Sequence, residues 1–339
     1  MKARLQAYLD SRPNTKEALV RAIFRTRLFV APTPAAKARL VGYDHRMFRD
    51  ALRDNANKNG RELHSLMHLR HVLHALQVVG RNPGGEVLEI GAGRAGLPVL
   101  LLLCGFDRVH VNELSNAVNR FDRAHVESLH VLASLMGVCR RPLHDVVVPL
   151  DDLHYAIRGD RMRAHAYTDA QNLAIPSGSL SAVVSFTVLE HLRNPTGVMR
   201  HLRSCLEPGG WMCHVVDFRD HEDFTRPLDF LTVAPDQYHN RLGDWCNRLR
   251  FSDFVRTFTD TGFELCSSRV TSFNELDDRK STEFWKMLND GPDMTFRPEL
   301  DPADHWVTEE QRVGFHADYQ SYSRAELSIL QAEFITRAR

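Results

Sequence analysis

Histidines beside carboxylates follow two apolar segments in the second half of the chain. Glu190 and His191 end one segment, and the run D-F-R-D-H-E-D at residues 217–223 follows the next. A histidine beside a carboxylate can act as a general base near neutral pH, because the carboxylate orients the ring and stabilises its charged form. The residues that we predict to form the catalytic group are His221, Asp217, His191, Asp220 and Arg219. We expect His221 to be the base or to bind the substrate, held by its neighbours in the chain.

Two of the histidines also fit a packing role without any part in chemistry. His191 also fits a residue at the start of a helix that only packs near a ligand. His214 lies in the middle of an apolar segment. We therefore predict core packing rather than chemistry for His214.

A glycine-rich turn joins an apolar segment to an apolar helix near residue 90. The turn reads G-A-G-R-A-G from Gly91 to Gly96, and Glu89 lies two residues before it. Glycine lets the backbone pass close to a ligand, and the unpaired N–H groups of the following helix suit an adenosine-containing molecule. The spacing also fits the G-x-G-x-x-G pattern of dinucleotide sites. A carboxylate at Glu89 would repel a pyrophosphate, but it would suit a ligand with ammonium and sulfonium centres.

Five segments, in the correct order, resemble the class I S-adenosylmethionine-dependent methyltransferases. They are V-L-E-I-G-A-G at 87–93, E-L-S at 113–115, D-A-Q-N-L at 169–173, L-E-H at 189–191 and L-E-P-G-G at 206–210. The resemblance covers residues from about 84 to about 270 and is specific to the superfamily, not to one substrate. The pattern H-x-x-D-x-R-D-H at 214–221 also resembles bacterial methyltransferases of glycans and other small molecules.

The resemblance implies how these residues hold S-adenosylmethionine. The methionine half would lie against Glu89, the glycine turn and the backbone of Phe186. Glu113 would accept hydrogen bonds from the ribose, and the segment that begins at Asp169 would hold the adenine. The complete predicted set is Glu89, Gly91, Ala92, Gly93, Glu113, Leu114, Asp169, Ala170, Gln171, Phe186 and Thr187.

The activity that the resemblance implies is methyl transfer to a small-molecule acceptor, a sugar or a specialised metabolite, at oxygen rather than nitrogen. Methyl transfer requires the acceptor about 3 Å from the methyl carbon, with water excluded and the hydroxyl proton removed. Three alternatives stay open at this point. They are an N- or C-methyltransferase, an NAD(P)-dependent oxidoreductase, and a regulatory protein that binds the cofactor without turnover.

Alternating strand and helix patterns between residues 84 and 217 predict an α/β fold with helices on both faces of a parallel sheet. Strands are predicted near 86–90, 108–112, 163–168, 181–186, 211–217 and 263–270, with a last antiparallel strand within 327–337. The predicted fold is thus a seven-stranded, mostly parallel, doubly wound sheet of the Rossmann-like methyltransferase type. We expect the ligand at the carboxyl ends of the strands, where the strand order reverses.

Additional segments flank the predicted sheet. Residues 1–80 carry apolar residues at helical spacing and are predicted to be an N-terminal helical extension of a domain at 81–339. Residues 271–325 are predicted to be an insertion before the last strand, either a cap or an interface. In the family resemblance such helices cover the cofactor or hold a partner subunit, so a homodimer is one possible arrangement. His64, His68 and His71 share one helix face, which we interpret as solvated or interfacial.

A metal is a secondary option. Asp217, Asp220, Glu222 and Asp223 offer the oxygen ligands that Mg²⁺ prefers. Arg219 lies among them and favours an ion pair instead. We therefore assign no metal ligands, and S-adenosylmethionine is the one co-substrate predicted.

Composition narrows the remaining classes. The chain has 339 residues, and 43 Lys and Arg balance 43 Asp and Glu, so no overall field favours nucleic acid or an anionic membrane. The six cysteines form no C-x-x-C pair and fit reduced residues of a cytoplasmic protein. The longest apolar run, Leu97–Cys104, is too short to span a membrane. No N/D-P-P-Y/F segment follows the fourth strand, which argues against base-amino methylation of nucleic acid.

Overall fold

The computed structural model describes residues 61–93, 96–113, 119–223, 226–239, 246–272 and 307–339. Their strands are β1 (Glu86–Ile90), β2 (Arg108–Glu113), β3 (Phe121–Asp122), β4 (Val147–Pro149), β5 (His154–Ile157), β6 (Met162–Ala166), β7 (Leu180–Phe186), β8 (Leu206–Asp217), β9 (Phe263–Ser272) and β10 (Gln331–Ala338). The α-helices are α1 (Arg61–Val79), α2 (Leu97–Cys104), α3 (Arg123–Leu135), α4 (Pro195–Cys205), α5 (Pro235–His239), α6 (Phe251–Asp260), α7 (Glu309–Gly314) and α8 (Arg324–Leu327).

Seven of these strands form one sheet in the order β6-β2-β1-β7-β8-β10-β9. Strand β10 runs antiparallel to both of its neighbours, and the other pairings in the sheet are parallel. The chain builds outward from β1 to β2 and β6 and then returns to β7 on the other side of β1. The strand order therefore reverses between β1 and β7, which is where open α/β sheets bind ligands. The predicted Rossmann-like methyltransferase fold is confirmed.

The structure differs from the predicted elements in two places. A second, antiparallel sheet of order β3-β5-β4 was not predicted, because its strands are too short to show an alternating pattern. The last strand begins at Gln331 rather than near residue 327, because Arg324–Leu327 forms a helix capped by Ser323. The predicted domain boundaries remain predictions, since residues 1–60 and most of the 271–325 segment lie outside the described residues.

Both faces of the large sheet are covered by apolar side chains. On one face, α2 buries all eight of its residues together with apolar residues of α1 and α3. On the other face, α4 and α6 pack against the sheet, with Phe254 and Phe258 one helical turn apart on the buried side of α6. A third cluster joins residues 228–238 and Cys246 to residues 307–330. No helix in the part of the chain that the structure describes is both long and apolar enough to cross a membrane.

A buried ion-pair network attaches α1 to the sheet. Glu333 of β10 is fully buried, and its carboxylate lies 2.5 Å from Nδ1 of His71, 2.8 Å from Nδ1 of His74 and 2.7 Å from the Arg269 guanidinium. Burial alone would raise the pKa of Glu333, but these three partners hold it well below its usual range. Burial also lowers the pKa of His71. Arg269 therefore supplies a permanent positive charge beside the Glu333 carboxylate.

The interpretation of the α1 histidines as a solvated face is wrong for His71. His64 is exposed, but His71 is buried against Glu333, and His68 stacks on Phe186 of β7. The helical spacing was correct, but it cannot show which neighbour covers the face.

Replacing Glu333 with alanine should lower the free energy of unfolding by about 3–5 kcal/mol, because it leaves Arg269 without its buried partner. Urea unfolding measures this change. The matched control is Glu264→Ala on β9, whose side chain is exposed and whose loss should change stability by less than about 0.5 kcal/mol. Equal effects of the two substitutions would contradict the role of Glu333.

Candidate active site

The glycine-rich turn after β1 is held in a conformation that favours glycine. Gly91 has φ +69° and Gly93 has φ +53°. A Cβ atom on Gly91 would clash with the side chain of Val188, whereas one on Gly93 would meet no atom of the described residues within 4 Å. The N–H of Gly91 donates to the carbonyl of Asn112 at 2.9 Å, and that of Ala92 donates to the same oxygen at 3.4 Å. The turn is therefore attached to the end of β2, with open space above Gly93.

Glu89 is a buried carboxyl group at the end of β1. Its side chain is 2% exposed, and its Oε2 accepts no hydrogen bond from the described residues. Burial raises its pKa well above the usual range, and the charge of Glu113 raises it further. A buried polar atom without a partner costs free energy that a ligand can recover. A cationic group beside the turn would do so.

Glu113, at the end of β2, contacts the same turn. Its Oε2 accepts the N–H of Gly93 at 2.8 Å. A carboxylate can accept about four hydrogen bonds, so Glu113 can hold the turn and also accept hydroxyl groups of a ligand. Leu114, which was predicted beside it, lies outside the described residues.

The loop after β6 is attached to β2 by a side chain that sequence reasoning missed. Nδ2 of Asn112 donates to the carbonyls of Thr168 at 2.8 Å and His165 at 3.2 Å. This places the following segment, 169–171, near the end of β2. There the carboxylate of Asp169 accepts the N–H of Gln171 at 2.9 Å, so it caps the short helix that begins at the buried Ala170. In the sequence, the only indication of this role is that Asn112 is a polar residue at the next-to-last position of a strand.

The end of β7 contains a strained residue. Thr187 has φ +54°, which is uncommon for a residue other than glycine. Its N–H donates to the carbonyl of Val215 at 2.8 Å, and its hydroxyl donates to the carbonyl of Phe186 at 2.7 Å. The ring of His68 stacks on Phe186 with centroids 4.1 Å apart. Helix α1 therefore covers the end of β7, a contact that sequence reasoning did not predict.

The predicted catalytic residues converge at the ends of β7 and β8. The rings of His191 and His221 have centroids 4.8 Å apart. Nε2 of His221 lies 3.9 Å from Oδ2 of Asp217, and Arg219 forms a two-pronged ion pair with that carboxylate at 2.5 and 2.9 Å. Because Arg219 pairs with Asp217, the predicted ion pair is present.

Other polar groups fix the loops around these residues. Asp220 is buried, and its carboxylate accepts the N–H of Glu222 at 3.0 Å, so it shapes the turn after His221. Oε1 of Glu190 accepts the N–H of Asp217 at 3.3 Å. Asn247 clamps the short helix Leu189–His191 by donating from Nδ2 to the Leu189 carbonyl at 2.7 Å and from its N–H to the Glu190 carbonyl at 2.6 Å.

Cys246 is the second residue that sequence reasoning missed. We interpreted the cysteines as packing residues, yet Sγ of Cys246 lies 3.9 Å from Nδ1 of His191. Its N–H contacts the hydroxyl of Tyr238 at 3.2 Å. The two residues are 55 positions apart in the chain, so no local spacing could indicate their proximity.

His214 lies in the core, as we predicted. It is fully buried, Nδ1 is 2.7 Å from the hydroxyl of Ser185, and its ring stacks on Phe258. Burial lowers the pKa of His214 to about 3. It is therefore neutral near pH 7 and does not belong to the catalytic group.

A family model described as a methyltransferase domain matches residues 43–268. No curated protein matches the chain.

Solved structures with similar folds include three with low sequence identity. A methyltransferase from Haloferax volcanii in complex with the activator Trm112 is 15% identical, with TM-score 0.42, over 85% of this chain and 96% of that chain. Phosphoethanolamine N-methyltransferase 2 from Haemonchus contortus, in complex with S-adenosyl-L-methionine, is 12% identical, with TM-score 0.42, over 82% of this chain and 53% of that chain. An S-adenosylmethionine-dependent methyltransferase from Mesorhizobium loti is 14% identical, with TM-score 0.42, over 78% of this chain and 95% of that chain.

Replacing Glu113 with alanine should weaken the binding of S-adenosylhomocysteine by about 1.5–3 kcal/mol, roughly 10- to 150-fold in Kd. The substitution removes a charged acceptor and releases the N–H of Gly93. Isothermal titration calorimetry measures the affinity. The control is Asp160→Ala, which removes the same negative charge from an exposed position away from the turn. Unchanged affinity in Glu113→Ala would exclude Glu113 from the site.

Binding of S-adenosylhomocysteine should strengthen as pH rises toward the raised pKa of Glu89, and it should release a proton. The ligand's ammonium favours the carboxylate, whereas the free protein favours the carboxylic acid. In the free protein, protonated Glu89 contributes to the free energy of unfolding. That contribution is fully present below the usual carboxyl pKa and is lost as pH rises through the raised pKa of Glu89. Calorimetry in buffers of different ionisation enthalpy counts the proton. The Glu89→Gln variant should bind without this pH dependence, and a pH profile like that of the unmodified protein would contradict the assignment.

Proposed function

This chain belongs to the methyltransferase-domain family, and on that premise we propose that it transfers the methyl group of S-adenosylmethionine to an oxygen atom of a small-molecule acceptor. The acceptor class that we propose is a sugar or a specialised metabolite. One observation carries the proposal. A carboxylate-lined glycine turn and a histidine–carboxylate group lie at the same edge of one sheet, at the carboxyl ends of β1, β2, β7 and β8.

The residues at the turn fit S-adenosylmethionine. Glu89 is a buried carboxyl group whose Oε2 has no partner among the described residues, which suits the ligand's ammonium and sulfonium charges. Open space above Gly93 permits close approach, and Glu113 beside it can accept ribose hydroxyls. We propose that Phe186 and Thr187 present their backbone to the methionine half, and that the segment from Asp169 to Gln171 contacts the adenine. The bound sulfonium supplies an electrophilic methyl carbon.

The histidine–carboxylate group supplies what an oxygen acceptor requires. A hydroxyl must lose its proton when it is methylated, and an imidazole such as that of His221, whose Nε2 lies 3.9 Å from Oδ2 of Asp217, can take that proton. The acceptor oxygen then forms a bond to the methyl carbon, the carbon–sulfur bond breaks, and sulfur keeps the electron pair. Arg219 holds Asp217 in position through its ion pair.

Water exclusion is the second requirement, and α1 contributes to it. His68 stacks on Phe186, and Ser65 of the same helix accepts the N–H of Gly96 at 2.8 Å, where α2 begins. One helix therefore packs against both the β7 end and the glycine-rich turn. A closed site strengthens the electrostatic interactions between the residues and the reacting atoms.

The test is a panel of acceptors incubated with the full-length protein and S-adenosylmethionine. The panel contains monosaccharides, phenols, primary amines, thiols and an unrelated protein. Release of S-adenosylhomocysteine and a product heavier by one methylene, both read by mass spectrometry, identify the acceptor. Transfer to a hydroxyl compound supports the proposal. Transfer only to amines, thiols or protein contradicts it, and so does cofactor binding with no transfer to any member.

Replacing His221 with alanine should lower turnover with the acceptor from this panel by about 10²–10⁴-fold, the range for loss of a general base. The affinity for S-adenosylhomocysteine should change by less than about twofold, because His221 lies at the acceptor end rather than at the turn. The control is His144→Ala, which removes a histidine whose side chain is 83% exposed. Full activity in His221→Ala would exclude His221 from the reaction.

A further inference from the structure

Three nitrogen and sulfur donors converge at the acceptor end of the site. His191, His221 and Cys246 each offer one ligand atom, and these atoms lie within 4.8 Å of one another. We propose that this His₂Cys cluster (His191, His221 and Cys246) binds one Zn²⁺ ion whose fourth coordination position receives the acceptor hydroxyl. The proposed role in catalysis rests on the function proposed above, whereas the binding of the metal does not.

The distances suit a tetrahedral ion after small side-chain rotations. Zinc binds imidazole nitrogen at about 2.0–2.1 Å and cysteine sulfur at about 2.3 Å, so neighbouring ligand atoms lie roughly 3.3–3.7 Å apart. Sγ of Cys246 and Nδ1 of His191 are already 3.9 Å apart. Three protein ligands with an open fourth position are typical of catalytic zinc sites, whereas structural sites use four.

The kinds of ligand favour zinc over magnesium. Thiolate and imidazole suit zinc, whereas carboxylates and water suit magnesium. The nearby acids are engaged elsewhere, since Asp217 pairs with Arg219 and Asp220 caps its own turn. Zinc is also preferred to copper because methyl transfer from a sulfonium needs a deprotonated acceptor oxygen and involves no electron transfer. The acidic residues that the sequence offers as oxygen ligands are therefore not the ligands of this site. The structure favours the His₂Cys cluster as the place where a metal binds.

Groups around the cluster already orient its members. His191 belongs to the short helix that Asn247 clamps through two carbonyls, and Asn247 directly follows Cys246 in the chain. The N–H of Cys246 contacts the hydroxyl of Tyr238 at 3.2 Å. Asp217 lies 3.9 Å from Nε2 of His221, too far for a hydrogen bond but close enough to place a negative charge beside the cluster. The ligands come from three separate segments, so a bound ion would join the loops after β7 and β8 to the segment before α6.

The ion would change how the acceptor loses its proton. A hydroxyl bound to Zn²⁺ has a lowered pKa and releases its proton to solvent near neutral pH. Its oxygen then attacks the methyl carbon as the carbon–sulfur bond breaks. His221 would act as a ligand rather than as the base in this form, and its loss would remove the metal.

Titration of the full-length, chelator-treated protein with Co²⁺ tests the site without an acceptor. One equivalent should bind and produce the near-ultraviolet charge-transfer band of a thiolate–cobalt bond together with the visible bands of a tetrahedral ion. Cys246→Ser should lose the charge-transfer band, and His191→Ala should bind Co²⁺ at least tenfold more weakly. Cys266→Ser is the control, since it changes a half-buried cysteine on β9 and should bind as the unmodified protein does.

Two outcomes would overturn the proposal. One is the absence of stoichiometric Co²⁺ binding, and the other is a charge-transfer band that persists in Cys246→Ser. The affinity for S-adenosylhomocysteine is measured on each variant, and an unchanged value shows that the substitution leaves the fold intact. Zn²⁺ competition against Co²⁺ then establishes which ion is preferred.

The role of the metal in catalysis is measured separately. With an acceptor from the panel, the metal-free protein should turn over at least tenfold more slowly, and added Zn²⁺ should restore the rate. Equal rates with and without metal would overturn the catalytic role. Stoichiometric Co²⁺ binding without methyl transfer to any hydroxyl would support the site and contradict the proposed function, so the two failures are distinguishable.

Discussion

The attachment of the glycine-rich turn to the end of β2 is the constraint on which the cofactor end depends. The turn is held by the carbonyl of Asn112 and by the carboxylate of Glu113. The side chain of Asn112 also holds the loop after β6 through the carbonyl of Thr168. Because β2 lies between β1 and β6 in the sheet, its end reaches the loops that follow both neighbouring strands. Two loops from separate parts of the chain are thereby fixed beside the end of β2.

Two buried carboxyl groups, those of Glu333 and Glu89, differ in their surroundings. Glu333 is surrounded by Arg269, His71 and His74, which keep its pKa low and attach α1 to the sheet. Glu89 is equally buried, but its Oε2 has no partner among the described residues, and its pKa is raised. A paired buried charge contributes to the fold, whereas a buried acid without a partner is costly unless a ligand compensates. The difference in their surroundings is the reason to assign Glu89 to ligand binding.

The proposed acceptor end consists mostly of loops beyond the strand ends. The short helix Leu189–His191, the turn around His221 and the segment that begins at Cys246 meet beyond the ends of β7 and β8. Asn247 and Glu190 join these loops by hydrogen bonds to the backbone. Loops on a rigid sheet can change substrate while the fold is kept, which explains why the motifs identify the superfamily and not the acceptor.

The sequence alone determined the sheet and predicted which residues form the cofactor end, because the signals there are local. Glu89 and the glycines occupy one strand–turn–helix unit, Glu113 ends the next strand, and the strand and helix patterns are short-range. Rules of strand connection then place those strand ends at one edge of the sheet.

Only the tertiary structure decided which distant residues complete the site. It placed His68 on Phe186, His71 on Glu333 and Cys246 beside His191, contacts between residues 55 to 262 positions apart. A histidine on a helix face or a cysteine in an apolar stretch has the same appearance in sequence whether it packs, pairs or binds. Packing in three dimensions selects one of these roles, because the partner that decides it comes from another part of the chain.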